Sequence, residues 1–422
     1  MTIQTFPEKE ASNQLILRAC GLKDQIRAQA GAAERLGRYT PELHQTFLKS
    51  GFYNLLTPTR YGGLETDLRT FAKIMIEIGR GDPGTAWCLC LGQGHALTTA
   101  THWPEQGQRE AFHNGSGYFR ASHGVNPSGT AQRVEGGWLV NARSPYQSGV
   151  AYATHATVTV RAVDEQALKA PASDAPARVA DFSAMLHVLI PAGKFKVSDD
   201  WGADRVFGMR ASGSNSVIVE DLVVADHQVA RFGPDPAPVG SVPGARLHDN
   251  PIYAGGPSVS FAQLELVVTV VGAARAALDE YEALAKTKAP LTPGTSGLRF
   301  QDPFYQRDFG AAKMKADAAE AIVLHTAEAM SALSRDAVTG SRQFDVKADN
   351  TFAGMILEAG ELACDAVDIL FRSAGTSASM ANQPMQRYLR DIAIYRTHRG
   401  SQYNSTAQRY GAVALGAFRN PT

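Results

Sequence analysis

The sequence predicts an α+β, multi-domain fold in which a helical block, a β-domain and a helical bundle follow one another. Three observations lead to this prediction: apolar residues have helical spacing before residue 117, alternate up to residue 230, and return to helical spacing after residue 256. With 422 residues, 44% of them apolar, the chain is long enough for two or three packed units around a large core. We place the domains at 1–117, 118–230 and 231–422.

The first block is predicted to be helical. Apolar residues recur at helical spacing over 15–26 and again over 71–78, where the breaker Gly81-Asp82-Pro83-Gly84 follows. The next stretch, 85–101, is composed mostly of small and apolar residues. It is therefore expected to form a buried helix.

The middle block is predicted to be all-β. The stretch 133–140 has the pattern of a hairpin that turns at Gly136-Gly137. Strands are expected at 156–160 and 185–190, and a strand pair at 216–224. The segment 165–180, rich in Ala, Pro and Asp, is expected to be a surface loop.

The last block begins with an irregular connection, 231–256, which holds many prolines and glycines. A loop of this length in a compact protein usually has a function, so we expect it to form a pocket wall or lid. Helices are predicted from their apolar spacing at 267–284, 306–333, 348–373 and 390–415.

Charge and composition argue against several classes of partner. The 41 basic and 41 acidic residues cancel, and no basic run is present, so neither nucleic acid nor a membrane surface is an expected partner. The apolar run 264–277 is interrupted by Gly272 and Arg275, and we expect it to be too short to span a bilayer. The N-terminus lacks the pattern of a secretory signal, so a cytoplasmic location is expected.

No short motif identifies a metal or nucleotide site. Of the four cysteines, Cys88 and Cys90 are separated by one residue rather than by the spacing of a zinc site, so buried thiols are expected and no metal. The chain has no dinucleotide fingerprint, P-loop, HExxH helix or GxSxG elbow. An enzyme built on this sequence would therefore use a cofactor that leaves no short local fingerprint.

Three stretches, in order, resemble the acyl-CoA dehydrogenase superfamily. They are Arg60-Tyr61-Gly62-Gly63 with Asp82-Pro83-Gly84-Thr85-Ala86-Trp87, Asp199-Asp200-Trp201 with Gly208-Met209-Arg210-Ala211-Ser212-Gly213-Ser214, and Gln386-Arg387-Tyr388-Leu389-Arg390-Asp391. The resemblance runs from about residue 15 to residue 415. It implies an N-terminal helical domain, a middle β-barrel or sandwich domain, a C-terminal four-helix bundle and a homotetramer.

One position distinguishes the branches of the superfamily. Where one large branch of dehydrogenases has a catalytic Glu, nine residues after the position of Arg390, this chain has Arg399, which cannot accept a proton. His398, beside Arg399, matches a position of the two-component flavin-dependent monooxygenases, which this part of the chain resembles. Two further motifs resemble the same enzymes: Gly94-His95-Ala96-Leu97 and Tyr146-Gln147-Ser148-Gly149. The chain resembles oxygenase components that act on 4-hydroxyphenylacetate, indole or dibenzothiophene, and is most similar to the sulfur-heterocycle oxygenases at Asp199-Asp200-Trp201 and Gly208-Met209-Arg210. Gln147 departs from the small residue usual there.

That resemblance implies a reaction and roles for three residues. A separate flavin reductase supplies FMNH₂ or FADH₂, O₂ forms a C4a-hydroperoxyflavin, and a small aromatic or heteroaromatic substrate is oxygenated. Ser148 is the candidate for contact with flavin N5. His95 and His398 are catalytic candidates, one for the peroxide and one for a substrate OH or NH, and the sequence does not assign which. It also leaves FMN and FAD both open.

Further residues resemble flavin contacts of the family, and each also has an ordinary structural explanation. The set comprises Ser122, Trp201, Arg210, Arg307, Gly375 and Thr376. Arg307 would hold the flavin phosphate, and Gly375-Thr376 would face the flavin of a neighbouring subunit. Two alternatives stay open at this point: an FAD-containing acyl-CoA dehydrogenase, and a catalytically inactive binding protein with the same fold.

Overall fold

The structure is a computed structural model that describes residues 8–163, 185–233, 235–291 and 296–417. The predicted loop 165–180 lies outside these residues. The helices are α1 (Glu8–Leu36), α2 (Pro41–Lys49), α3 (Leu68–Gly81), α4 (Pro83–His102), α5 (Glu105–Phe112), α6 (Gly244–Leu247), α7 (Val259–Thr287), α8 (Pro303–Val338), α9 (Val346–Ala374), α10 (Pro384–Thr397) and α11 (Tyr403–Ala414). The strands are β1 (Ala121–Gly124), β2 (Gly129–Val134), β3 (Gly137–Ser144), β4 (His155–Val163), β5 (Met185–Pro191), β6 (Lys196–Val197), β7 (Val217–Val224) and β8 (Val229–Ala230). The predicted α+β class is confirmed.

Helix α4 is the buried helix predicted in the first block. Asp82 ends α3 and caps α4, because its carboxylate accepts the Thr85 amide proton at 2.9 Å and Pro83 occupies the first helical position. The two helices are therefore separated by a single residue. Every residue of α4 is buried except for a stripe of His95, Thr98 and His102, which recur on one helix face.

The middle block folds as one mixed sheet with the strand order β6-β7-β3-β2-β4-β5-β8. Strands β1 and β2 both run parallel to β4 and occupy successive stretches of it, while the other pairings are antiparallel. The hairpin at Gly136-Gly137 is confirmed as β2–β3. The predicted strand pair at 216–224 is wrong: β7 is one continuous strand, with a bulge in its pairing to β3 where Asp221 has a φ of 46°.

Helices from the two ends of the chain share one hydrophobic core, while the sheet has a core of its own. Helices α3 and α7 cross at Gly79 and Gly272. A Cβ on Gly272 would lie 2.6 Å from the Gly79 Cα, so this close approach requires glycine. Gly272 thus marks a helix contact and does not interrupt the helix.

Helix α7 corrects the expectation drawn from the run 264–277. The helix has 29 residues and an apolar segment long enough to cross a membrane, so the run is not too short. However, 89% of that segment is buried within the protein. Packing in the helical core accounts for its composition.

The C-terminal helices otherwise follow the prediction, with one difference. Helices α7, α8 and α9 extend the predicted segments at both ends. The single helix predicted at 390–415 is wrong, because α10 ends at Thr397 and a short 3-10 turn, Arg399–Ser401, separates it from α11. His398 lies at this break.

Helix α10 is attached to both of the other blocks. Asp391 Oδ1 accepts the Met209 amide proton at 2.6 Å. Arg390 donates to the Phe207 carbonyl at 2.9 Å and forms an ion pair of 2.7 Å with Glu34 of α1. These bonds fix α10, and with it His398, against the β-domain.

Candidate active site

Ser148, Trp87 and His398 meet from three parts of the chain. Trp87 of α4 donates its indole N–H to Ser148 Oγ, in the turn after β3, at 3.1 Å. The same indole forms a T-shaped pair with the His398 imidazole, with ring centroids 5.5 Å apart and an interplanar angle of 73°. Two of the three predicted catalytic residues are therefore joined by a tryptophan that the prediction did not include.

Two further serines extend from Ser148. Ser148 Oγ lies 2.8 Å from Ser214 Oγ, which lies 2.7 Å from Ser212 Oγ. A hydroxyl can donate once and accept twice, so donation from Ser212 to Ser214 and on to Ser148 leaves the Ser148 proton free. Ser148 Oγ then accepts from Trp87 and Ser214 and keeps its own proton to donate to a bound molecule.

A buried arginine shapes the turn that carries Ser148. The Arg120 guanidinium is fully buried and donates to the carbonyls of Gly149 and Ala151, each at 3.1 Å, and to that of Cys88. No carboxylate pairs with it within the described part of the chain. Arg120 thus acts as a cation held by backbone dipoles directly behind the Ser148 turn, and no sequence pattern indicates this role.

The tautomer of His398 is determined by the backbone amide of Gly400, two residues further along the chain. The Gly400 N–H donates to His398 Nδ1 at 3.0 Å, so the neutral ring carries its proton on Nε2. The side chain is exposed, yet desolvation by nearby protein atoms and the charge of Arg399 lower its pKa. His398 is therefore a neutral donor at neutral pH.

His95 has the opposite tautomer. Its Nδ1 lies 2.7 Å from the Ala121 carbonyl, which can only accept, so Nδ1 carries the proton and Nε2 is a free acceptor. Burial lowers the pKa of His95 to about 4, so the ring is neutral at neutral pH. His95 follows Trp87 by eight residues, about 12 Å along the helix at 1.5 Å per residue.

Beyond His95 lies a group of histidines that the prediction missed. His123 Nε2 is 3.2 Å from His187 Nδ1, and the His95 and His123 rings are 5.4 Å apart. Phe232 lies at the start of the predicted pocket loop. Its ring stacks on those of His187 and His102, with centroid distances of 3.8 Å and 4.2 Å. These residues come from two strands, α4 and the loop, so no local spacing could have revealed them.

Three predicted flavin residues lie on the sheet and the loop that follows it. Ser122 is buried on β1, and its hydroxyl has no hydrogen-bond partner among the described residues. Trp201 donates its indole N–H to the Met209 carbonyl at 3.1 Å, and its ring centroid lies 6.1 Å from that of Tyr146. Arg210 donates to the Val206 carbonyl at 3.0 Å, and so is used within its own loop.

The remaining predicted flavin residues lie at one end of the helical bundle. Arg307 is exposed and pairs with Asp308 at 2.8 Å. Gly375 ends α9 beside Leu291, and Thr376 begins a short 3-10 turn. Within the described residues, no hydrogen bond or ring contact joins this end of the bundle to the group around Trp87.

The groups around Trp87 suit a flat, hydrogen-bonding organic cofactor. They comprise hydroxyls, neutral imidazoles and an indole, and the Ser122 hydroxyl is buried without a protein partner. Among the described residues, no cluster of three histidine, cysteine, aspartate or glutamate side chains could hold a metal ion. The donor set therefore fits a flavin.

Comparisons with known proteins agree with this chemistry. The family models for the acyl-CoA dehydrogenase N-terminal and C-terminal domains match residues 21–115 and 264–403, together more than half of the chain. A pigment production hydroxylase of Rhodococcus sp. (strain ATCC 21145) is 27% identical over 93% of this chain and 96% of its own. The oxygenase subunit HsaA of a flavin-dependent monooxygenase from Rhodococcus jostii is 25% identical over 93% of this chain and 95% of its own.

The fold is shared with a solved structure that contains a reduced flavin. XiaF from Streptomyces sp., in complex with FADH₂ and glycerol, superposes with a TM-score of 0.83 at 22% identity and covers 98% of each chain. The family models, the relatives and this fold lead to one assignment. The chain belongs to the acyl-CoA dehydrogenase family, in the branch formed by the flavin-dependent monooxygenases.

Proposed function

We propose that this protein is the oxygenase component of a two-component monooxygenase, which receives reduced flavin from a separate reductase and oxygenates a small aromatic or heteroaromatic substrate with O₂. The observation that carries the proposal is the Ser148–Trp87–His398 group, with His95 about 12 Å further along α4. Helix α4 thus joins a flavin end, at the Ser148–Trp87–His398 group, to a substrate end, at His95.

The two histidines are proposed to divide the work according to their tautomers. His398 presents an N–H donor beside Trp87 and Ser148, so it serves the flavin end and delivers a proton to reduced oxygen. His95 presents a lone pair, so it accepts a hydrogen bond from a substrate OH or NH. Both rings are neutral at neutral pH, which permits these opposite roles.

Ser148 is proposed to bind the flavin, with Trp87 as the residue that positions its hydroxyl. When bound, reduced flavin supplies the electrons that activate O₂ for transfer of one oxygen atom to the substrate. Ser122, with its unpartnered hydroxyl, and Trp201 are proposed as further linings of the same cleft. Removal of water from this cleft would favour transfer to the substrate over release of H₂O₂.

The acyl-CoA dehydrogenase alternative has less support. Arg399, at the position where one branch of dehydrogenases has its base, donates to Asn126 of the β1–β2 loop and stays protonated. It is a contact between blocks of the fold and cannot abstract an α-proton. The inactive binding alternative does not account for two histidines held in opposite tautomers.

The partners follow from the relatives and from the surface. The name "oxygenase subunit" of the relative from Rhodococcus jostii supports a separate reductase. A homotetramer is proposed because apolar side chains, among them Leu291 and Phe304, are exposed at the end of the bundle where Arg307 and Gly375 lie. A cytoplasmic location is proposed because each of the four cysteines is a free thiol.

The test uses the purified protein with FMNH₂ or FADH₂, added anaerobically to measure affinity and then mixed with ¹⁸O₂ and a panel of phenols and indoles. We expect tight binding of one reduced flavin and one ¹⁸O atom in the product. Ser148→Ala should weaken reduced-flavin binding, whereas Ser341→Ala, in the exposed segment after α8, should not. Absence of both flavin binding and ¹⁸O incorporation would refute the proposal.

A further inference from the structure

The half-exposed stripe of α4 lies beside a histidine of the sheet. His95, Thr98 and His102 are the residues of this helix that are not buried. His123, on β1, is also half-buried, and its ring lies 5.4 Å from that of His95. In the proposed function the substrate cavity lies in front of this stripe, because His95 is the residue that meets the substrate.

Backbone carbonyls determine which nitrogens carry protons in this cavity. The Phe232 carbonyl lies 3.1 Å from His187 Nε2 and can only accept, so the proton is on Nε2. Burial lowers the pKa of His187 to about 4, so the ring is neutral and Nδ1 keeps its lone pair. Thr159, the other neighbour of Nδ1, already donates its proton to the Gly124 carbonyl at 2.7 Å.

The donor to His187 Nδ1 must therefore be His123. Its Nε2 lies 3.2 Å away and carries the proton, which leaves a lone pair on His123 Nδ1 because burial keeps this ring neutral too. Within the described residues, neither His123 Nδ1 nor His95 Nε2 receives a hydrogen bond. Two acceptors on rings inclined at 80° thus face one cavity without a donor.

We propose that His123, positioned by His187, is a second hydrogen-bond acceptor for the substrate beside His95. The cavity then selects aromatic rings that carry an O–H or N–H and discriminates against rings of the same shape that carry only sulfur or carbon. The inference rests on the proposed function and adds a specificity-determining residue to it. A ring without a donor would leave two buried lone pairs unpaired, which is the circumstance in which polar sites reject close analogues.

Indole and benzothiophene are suitable probes because they have a similar shape, and where indole has an N–H group benzothiophene has a sulfur atom. Binding is measured by calorimetry on the protein without flavin, so the readout does not depend on turnover. We expect indole to bind about tenfold or more tightly than benzothiophene. His123→Phe should reduce this ratio severalfold, to the part that His95 alone supplies, whereas His123→Asn, which keeps an acceptor, should retain most of it.

His325→Phe, at an exposed position on α8, is the matched control and should keep the wild-type ratio. Melting temperatures of all variants establish whether they fold. If His123→Phe does not fold, the binding ratio of His123→Asn is used in its place. An unchanged ratio in a folded His123→Phe variant overturns the inference, as does equal or absent binding of both probes to the wild type. The proposed function fails separately, by absence of reduced-flavin binding and of ¹⁸O incorporation.

Discussion

At the scale of single residues, backbone groups decide what each imidazole can do. The Gly400 amide makes His398 a donor, and the Ala121 carbonyl makes His95 an acceptor. In the proposed function, the imidazole side chain therefore serves two purposes in one site. Its chemistry depends on the backbone group opposite Nδ1.

Replacement of His398 tests its role as a donor. We expect His398→Leu to lower the yield of oxygenated product about 100-fold, since positioned proton transfer typically contributes 10²–10⁴-fold, and to raise H₂O₂ release. His398→Gln, whose amide can still donate an N–H, should retain part of the yield. The measurement is the ratio of product to H₂O₂ per reduced flavin consumed. Equal ratios in the wild type and His398→Leu would contradict this role.

Glu265 on α7 is a second residue whose state depends on burial. Its carboxyl lies against Gly94, where a Cβ would be 1.5 Å from Oε1, and that oxygen has no hydrogen-bond partner among the described residues. Burial raises the pKa of Glu265 well above its ordinary value. The folded protein therefore keeps a proton that the unfolded chain releases above its unperturbed pKa of about 4.3.

This raised pKa makes stability depend on pH. The contribution of Glu265 is fully present below pH ~4 and is lost as pH rises, by up to about 1.4 kcal/mol per pH unit, until the folded pKa is reached. We expect Glu265→Gln to be increasingly stabilising relative to the wild type between pH 5 and pH 8, as measured by urea unfolding. Glu282→Gln, at an exposed position on the same helix, is the control. A difference that stays constant with pH would refute the prediction.

At the scale of elements, α10 is held by charges buried between helices. Arg387 of α10 lies 3.5 Å from Asp82, and the side chains are 10% and 1% exposed. Asp82 also caps α4, so this pair connects the helix that carries His95 to the helix that precedes His398. Burial raises the pKa of Asp82, while the Arg387 charge opposes this.

Removal of Arg387 should leave a buried carboxylate without its cation. We expect Arg387→Met to cost about 3 kcal/mol or more of unfolding free energy at pH 7.5, with a smaller loss at pH 5, where Asp82 can take up a proton. Arg372→Met, at an exposed site on α9, should change stability little. Denaturant unfolding at both pH values checks this, and equal small losses in the two variants would count against the pair.

The elements also show how far sequence patterns extend. Apolar spacing, a breaker and a Gly-Gly turn predicted α3, α4 and the β2–β3 hairpin, because these depend on neighbours along the chain. They failed at the break between α10 and α11 and at β7. The three-residue turn Arg399–Ser401 hardly alters the helical spacing around it, and a bulge depends on the partner strand.

At the scale of the whole molecule, exposed groups at one end of the bundle point to assembly. The Arg307 guanidinium lies 5.5 Å from the Phe304 ring, and Tyr305 accepts the Leu291 amide proton at 3.1 Å. Leu291 in turn lies against Gly375. The residues predicted to reach a neighbouring subunit's flavin thus lie together among exposed apolar side chains.

This surface supports a prediction about assembly and flavin affinity together. We expect light scattering to give a tetramer, and Phe304→Asp to produce smaller species with weaker reduced-flavin binding. Arg307→Ala should weaken flavin binding and leave the mass unchanged. Lys313→Ala, further along α8, is the control. A monomeric wild type with full flavin affinity would contradict the prediction.

The sequence alone determined the order of helical and β blocks and the buried helix α4, and its resemblance to a family led to the proposal of His95, Ser148 and His398 as site residues. These depend on periodicity and short motifs, which are properties of neighbouring residues. Only the tertiary structure decided that Trp87 joins Ser148 to His398 and that Arg120 lies behind the turn. It also decided which nitrogen of each histidine carries the proton. Such assignments depend on backbone groups that folding brings together from distant parts of the chain, so no local pattern encodes them.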